Sequence, residues 1–344
     1  MVQLSSSWLV LSYACNNDCV WCYAKQNLHN KTDMSLTTLC DSLDFLQSLG
    51  LKETILIGGE PTIYPHLNQA ITGSLERGIE PILITNGRRL SDANFLELLT
   101  KSKLKKVCVS IESLSAESHD SVTQRQGSFR ETWQGLANAI ASGMEVSTAT
   151  TISPTNSAEV IEVLQSLSKI GVGTVGFNIV TPNVDGTTED DGHRLTETVR
   201  SMQKVVEDAG DNTKIHFASS IPLCLVDTAH EADKRFRGNC CVFDGSGLVI
   251  EPNGKIIPCV HWIGAEISSI YRDDGVLRST EEFLEDWNGG IPLQFRQELL
   301  MYPAQECIGC AKWDDNSCVG GCPLLRLNKD IPSEIAERKG GIGK

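Results

Sequence analysis

The chain of 344 residues is long enough for one large domain or two ordinary ones, and 40% apolar content supports a sizeable core. A net charge of −14 argues against a duplex or transfer-RNA partner, which favours a basic face, and no apolar run approaches the roughly 18 residues of a membrane span. The segment Met1-Val-Gln-Leu-Ser-Ser-Ser lacks a basic n-region and a cleavage site, so the expectation is a cytosolic protein whose 13 cysteines serve metal or cluster ligation rather than disulfides.

Trp8-Leu-Val-Leu-Ser-Tyr13 reads as a first strand that delivers the chain to Cys15, Cys19 and Cys22, spaced C-x3-C-x2-C. Three thiolates so close together can hold three irons of a [4Fe–4S] cube and leave the fourth open, whereas a cluster that only carries electrons usually has four protein ligands. The alternatives at this point are a zinc site completed from elsewhere, for example by His29, or buried free thiols. Leu36, Leu39, Leu43 and Leu46 recur at helical spacing, and Gly50 stops that helix. Thr54-Ile-Leu-Ile57 is a second strand running into Gly58-Gly59-Glu60-Pro61, followed by a helix over Leu67 to Leu75. Pro81-Ile-Leu-Ile84 is a third strand, ending at Thr85-Asn86-Gly87. Helical signals at Phe95 to Leu99 precede a fourth strand, Val107 to Ile111. A helix around Trp133 to Ile140, a strand over Val146 to Ile152, a helix over Val160 to Ile170, a strand over Val175 to Val180 and a helix over Leu195 to Val206 complete the series. Cys40 and Cys108 fall in apolar-patterned segments and read as core.

Six strand–helix units predict an α/β fold with a parallel sheet, either doubly wound or curled toward a barrel. In such folds ligands sit at the carboxyl ends of the strands, where the triad, Gly58-Gly59-Glu60, Asn86, Ser110, Glu112 and Asn178 to Thr181 all fall.

The combination C-x3-C-x-aromatic-C, as Cys15, Cys19, Trp21 and Cys22, with Gly58-Gly59-Glu60-Pro61 after the second strand, resembles the radical S-adenosylmethionine (SAM) superfamily over residues 8 to about 210. The resemblance implies a partial (β/α)6 TIM-like barrel over residues 1–215. It also implies a [4Fe–4S] cluster whose open iron is chelated by SAM, reductive cleavage of SAM, and hydrogen abstraction from a substrate by a 5′-deoxyadenosyl radical. Gly58 and Gly59 would let the backbone approach the methionyl amine, with Glu60 accepting from it; alternatively Glu60 caps a helix ahead of Pro61. Ser110 and Glu112 would contact the ribose or amino acid moiety, Arg125 would pair the SAM carboxylate, and Trp21 would pack on the adenine or cluster. Tyr23 and Asn86 join these SAM-binding candidates, Asn86 also standing in a good turn context.

After about residue 215 the helical repeats thin and cysteines crowd: Cys224, Cys240, Cys241, Cys259, Cys307, Cys310, Cys318 and Cys322. Leu248 to Cys259 reads as strand, turn at Asn253-Gly254, strand and cysteine, which brings Cys240 or Cys241 near Cys259. With Cys307-x2-Cys310-x7-Cys318-x3-Cys322 this resembles the SPASM and twitch auxiliary-cluster domains, expected over residues 216–325 with a tail over 326–344. The third gap is seven residues where that pattern has five, and no cysteine follows Cys322 in the sequence. One or two auxiliary [4Fe–4S] clusters are implied, a second either borrowing Cys224, Asp314, Asp315 or His261 or keeping an open iron. Neighbours in a strand point oppositely, so one of Cys240 and Cys241 is expected to be spare or to serve the other cluster. A zinc ribbon from Cys307 to Cys322 is the alternative.

Enzymes of this resemblance mostly modify peptides, so the first expectation is a maturase of a ribosomally synthesised peptide that uses a reductant such as flavodoxin or ferredoxin. The triad begins at residue 15, which suggests a separate peptide-recognition protein or direct leader binding. The alternatives are a tetrapyrrole or small-molecule (alcohol or sugar) oxidoreductase and a sulfatase-type formylglycine maturase. A non-catalytic iron–sulfur carrier would have no use for Gly58-Gly59-Glu60. No nucleic-acid or membrane partner is expected.

Overall fold

A computed structural model of the chain describes residues 4–27, 32–182, 195–209, 214–301 and 303–325. His29 and the tail expected over 326–344 lie outside the described residues. The strands are β1 (Ser6–Ser12), β2 (Glu53–Gly58), β3 (Glu80–Thr85), β4 (Lys106–Ser110), β5 (Glu145–Ile152), β6 (Thr174–Ile179), β7 (Lys214–Phe217), β8 (Gly247–Ile250), β9 (Lys255–Ile257) and β10 (Ser268–Ser269). The helices of the first part are α1 (Leu36–Ser48), α2 (Leu67–Glu76), α3 (Ala93–Lys101), α4 (Ala116–Thr123), α5 (Ser128–Ala141), α6 (Val160–Lys169) and α7 (Leu195–Asp208). Then follow α8 (Cys241–Asp244), α9 (Thr280–Gly289), α10 (Ile291–Leu300) and α11 (Ala311–Asp314).

Among the described residues ten strands form one sheet in the order β10-β9-β8-β1-β2-β3-β4-β5-β6-β7. From β1 to β7 the order is that of the sequence and every pairing is parallel. A doubly wound sheet reverses its order at a switch point; this one does not, so the winding is single and the sheet curls as a partial barrel. A seventh parallel strand, β7, extends the expected six because it is too short to declare itself in the pattern.

Amphipathic helices build the outer layer. In α1, Leu39, Leu43 and Leu46 are buried, but Leu36 at the first position is exposed. Cys40, one residue past Leu39, turns away from that face and is exposed, which corrects its reading as core. Cys108 is half-buried on β4, between the buried Val107 and Val109. Helix α4 was not foreshadowed; its buried residues are His119, Val122 and Thr123, too few apolar positions to make a stripe.

The cysteine-rich part carries more regular structure than its thinned helical repeats imply. Its β8–β9 hairpin turns at Gly254, where φ of +82° suits glycine, and β8 pairs in parallel with β1. The sheet therefore runs across the division expected at residue 215. Helix α9 opens with a capping box between Ser279 and Glu282. Its Phe283 meets Phe45 of α1 edge-on, ring centroids 4.9 Å apart, so α9 packs against the barrel's outer layer.

Candidate active site and cysteine groups

The triad occupies the loop leaving β1, and backbone and side chains hold that loop from three sides. Asp18 and Val20 donate to the carbonyls of Thr123 and Val122 at the end of α4, each at 3.0 Å. Gly59 and Glu60 donate to the carbonyls of Ser12 and Ala14, each at 2.8 Å. Arg88 reaches from beyond β3 to the Asn16 carbonyl at 2.6 Å and to Asn17 Oδ1 at 2.9 Å, and is itself paired with Glu131. Arg88 was not among the sequence candidates; nothing in its local pattern distinguishes it from a solvated surface arginine.

The Gly-Gly-Glu turn is shaped by these contacts. A Cβ on Gly59 would stand 2.3 Å from the Ala14 oxygen, so the glycine is required by the close passage of the β1 end. Glu60 is buried and caps the short 3-10 turn Pro61–Ile63. Its Oε1 accepts from Thr62 N–H (3.0 Å), Thr62 Oγ1 (2.6 Å) and Thr85 Oγ1 (2.6 Å), and its Oε2 accepts from Asn86 N–H (2.7 Å). The carboxylate thus ties the ends of β2 and β3 together, the capping role that the sequence left as an alternative. Asn86 extends the same network: its Nδ2 donates to Asn16 Oδ1 at 2.6 Å.

At the end of β4, Ser110 is half-buried and Glu112 is buried. Glu112 Oε2 accepts from Thr151 N–H at 3.0 Å, and its own N–H donates to His119 Nδ1 at 3.1 Å. Burial raises the Glu112 carboxyl to about 7 and lowers His119 to about 4. For His119 the folded value lies below the ordinary one. Its contribution to stability is therefore present above pH 6.5 and is lost as pH falls through about 4. Glu112 has the opposite sign: its contribution is present below the ordinary carboxyl range and is lost as pH rises through about 7. Comparison with His119→Asn, which keeps an acceptor for the Glu112 amide, isolates the histidine. The stability gap between wild type and variant should change by roughly 2 kcal/mol between pH 7 and pH 5, the wild type losing more on acidification. Urea unfolding at the two pH values checks this; an unchanged gap would refute it.

Arg125 is exposed just past α4, and its N–H donates to the Asp120 carbonyl at 3.3 Å. Trp21 is half-buried within the triad loop. Tyr23 donates from its hydroxyl to the Gly58 carbonyl at 2.7 Å and packs against His261, ring centroids 5.3 Å apart. Cys15, Cys22 and Tyr23 pack with Val249, Ile257, Val260 and Ile263, so the C-terminal hairpin closes one side of the triad loop.

Burial pushes the Cys15 thiol up to about 12 and raises Cys19 and Cys22 as well, and neighbouring negative groups, among them Glu60 for Cys15 and Glu112 for Cys19, add to it. Three such thiols would ionise together only against a positive centre. Among the described residues no three His, Cys, Asp or Glu side chains are grouped to hold a single metal ion. An iron–sulfur cube spreads its thiolates over separate irons and so takes donors set wider apart than a single ion does.

The eight later cysteines divide by their contacts. Cys240, Cys259 and Cys322 pack around Val242, Trp262, Leu299 and Leu324. Cys241 joins them: it hydrogen-bonds Cys240, which lowers Cys240 to about 7 and, with burial, holds the Cys241 thiol protonated. The expectation that these two neighbours point apart is corrected, because Cys240 caps the short helix α8 instead of lying in a pleated strand. Cys322 packs in the same apolar cluster as Cys240 and Cys259, which draws the last ligand of the alternative zinc ribbon into this group. Asp314 and Asp315 are exposed, Asp315 accepting from Ser317 N–H at 2.8 Å, and His261 faces Tyr23.

A family model described as the Radical SAM superfamily matches residues 9–167. The chain is 24% identical over 256 residues to the antilisterial bacteriocin subtilosin biosynthesis protein AlbA of Bacillus subtilis (strain 168), covering 72% of this chain and 53% of that one. It is 25% identical over 200 residues to the AdoMet-dependent heme synthase of Methanosarcina barkeri, covering 56% and 57%. Against the mycofactocin maturase MftC of Mycobacterium tuberculosis it is 26% identical over 329 residues, covering 94% and 79%. The chain thus spans little more than half the length of the first two of these relatives. Streptococcus suis SuiB, solved with its precursor peptide SuiA, shares the fold: TM-score 0.72 at 17% identity, over 96% of this chain and 74% of that one.

Proposed function

From the premise that the chain is a radical SAM superfamily enzyme, we propose that it modifies a ribosomally synthesised peptide, forming a crosslink or an oxidised residue. The observation that carries this reading is the meeting of two cysteine sets at one end of the sheet. The triad loop and the hairpin leading to Cys259 share an apolar cluster, with Tyr23 and His261 between them. When bound, a triad-held [4Fe–4S] cluster supplies the electron that splits SAM into methionine and the 5′-deoxyadenosyl radical, which takes a hydrogen atom from the substrate.

In this reading Cys15, Cys19 and Cys22 hold the cluster, and the backbone of the Gly58-Gly59-Glu60 turn faces the methionyl end of SAM. Glu60, Asn86 and Arg88 act by fixing the loop and the turn against each other. Ser110 and Glu112 border the nucleoside side, with Trp21 available for the adenine. The later cysteines would hold auxiliary iron–sulfur clusters, which would supply an acceptor for the electron an oxidised substrate must lose. A flavodoxin- or ferredoxin-type reductant and a separate peptide-recognition protein complete the system.

Support for a peptide comes from relatives named for bacteriocin biosynthesis and for mycofactocin maturation, and from SuiB, whose shared fold holds a precursor peptide. The test is co-expression with short peptides encoded beside the gene, followed by mass spectrometry. The cognate peptide should lose about two mass units per purely oxidative crosslink. If no peptide changes mass while a porphyrin precursor or small alcohol is consumed with stoichiometric 5′-deoxyadenosine, the tetrapyrrole or small-molecule reading replaces this one.

A further inference from the structure

With Cys240, Cys241, Cys259 and Cys322 gathered in one group, four of the eight later cysteines remain: Cys224, Cys307, Cys310 and Cys318. Three of them sit in the segment around α11. Cys310 N–H donates to the Cys307 carbonyl at 3.1 Å, the tight turn that sets a C-x2-C pair side by side. Cys318 is buried and returns beside them, its N–H donating to the Lys312 carbonyl at 2.9 Å.

The fourth comes from about a hundred residues earlier in the chain. The short turn Leu223–Leu225 carries Cys224, and three independent contacts lay this turn against the Cys318 strand. Leu223 N–H donates to Cys318 Sγ at 3.5 Å. The space beside Gly321 is filled by Pro222, whose Cδ would lie 2.7 Å from a Cβ there. Gly238 bridges in parallel to Cys318 and accepts from Val319 N–H at 3.0 Å, while its neighbour Arg237 accepts from Ile221 N–H at 3.0 Å. Cys318 Sγ also accepts from Gly320 N–H at 3.4 Å, so two backbone amides already point at this sulfur, the arrangement that stabilises a thiolate ligand. Cys224 is itself exposed, one residue past the Leu223 amide that points at Cys318 Sγ. The cation of Lys312, paired with Glu231, stands by the sulfurs of Cys318 and Cys310.

We propose that Cys224 is the fourth ligand of a second auxiliary iron–sulfur cluster, completing a set with Cys307, Cys310 and Cys318. Each thiol gives up its proton on binding iron, and Lys312 offsets part of the resulting negative charge. The two cysteine sets are then four and four, neither needing Asp314, Asp315 or His261. This inference rests on the reading that the later cysteines bind iron–sulfur clusters, and the experiment separates the two.

Wild type, Cys224→Ser, Cys310→Ser, Cys259→Ser and the double variant Cys224→Ser/Cys310→Ser are reconstituted anaerobically. Iron, zinc and sulfide are counted and the clusters resolved by Mössbauer and electron paramagnetic resonance spectra, with circular dichroism to confirm folding. On four-iron arithmetic wild type should hold roughly twelve irons. Cys224→Ser and Cys310→Ser should each lose between one and all four irons of the same cluster, and the double variant should not lose a further cluster. Cys224→Asp, which supplies an anionic carboxylate donor where serine offers a neutral hydroxyl, should keep the iron with a changed spectrum. If Cys310→Ser loses its cluster while Cys224→Ser keeps wild-type iron and spectrum, the assignment of Cys224 falls and the auxiliary-cluster reading stands. If the Cys224→Ser loss is the one seen in Cys259→Ser, Cys224 belongs to the other group and the assignment also falls. Full iron in both Cys310→Ser and Cys259→Ser, or zinc in place of iron, would overturn both.

Discussion

The combined Cys15→Ala, Cys19→Ala, Cys22→Ala variant is expected to form no 5′-deoxyadenosine from SAM and dithionite, while keeping the iron bound by its later cysteines. The thiols are not what holds their loop. Asp18 and Val20 anchor it through backbone bonds to the end of α4, and Arg88 clamps it through Asn16 and Asn17. Removing three sulfurs therefore costs the loop one internal bond, from Asn17 N–H to Cys15 Sγ at 3.3 Å, and leaves its anchored path in place. The loss should then be chemical: about four irons fewer, on four-iron arithmetic, with turnover at background. Anaerobic assay of 5′-deoxyadenosine by chromatography, with iron counted on the same samples, reads both quantities. Equal yields from variant and wild type would end the radical SAM mechanism proposed for this chain.

The barrel was legible because its information is local. Strand and helix periods alternate within short windows, and the unusual residues follow strands directly, so topology alone puts Cys15, Gly58, Asn86 and Ser110 at one end. The pairing of β8 with β1 was not legible, since it joins residues about 240 apart with no local mark in either strand. Helices α9 and α10 were missed for a different reason. Phe283 and Trp287 are the only buried residues of α9, too sparse a stripe to separate from loop, although the Ser279–Glu282 capping box was present in the sequence. At the site, residue types were readable but their partners were not. Glu60 reads equally as a ligand contact or a cap, and only the positions of Thr62, Thr85 and Asn86 show which donors its oxygens meet. Arg88 became visible only once the triad loop was seen folding back over β3.

Gly59→Ala should also cut SAM cleavage, less completely than loss of the triad and by a different physical route. The added methyl would stand 2.3 Å from the Ala14 oxygen and 2.4 Å from the Tyr13 oxygen. Both atoms are backbone, so no rotamer change relieves the contact; either the Gly-Gly-Glu turn or the end of β1 must move. The turn is tied down through Glu60, whose carboxylate is bonded to Thr62, Thr85 and Asn86, and Thr85 and Asn86 are at the end of β3. The β1 end is therefore the part that yields, and Ala14 is the residue before Cys15. A shift there carries the first triad sulfur with it and breaks the Gly59 and Glu60 bonds to Ser12 and Ala14. Overpacking of this kind costs about 1–3 kcal/mol of stability, and misplacing a reacting group by about 1 Å can cost on the order of a hundredfold in rate. SAM cleavage should accordingly fall at least about tenfold, more than the stability change alone accounts for. Gly289→Ala is the control, since a Cβ there meets nothing within 4 Å. It should retain wild-type turnover and iron. Wild-type cleavage by Gly59→Ala with full iron would show that the turn and the triad loop are not mechanically coupled, and the positioning role given to Glu60 and Asn86 would fall with it.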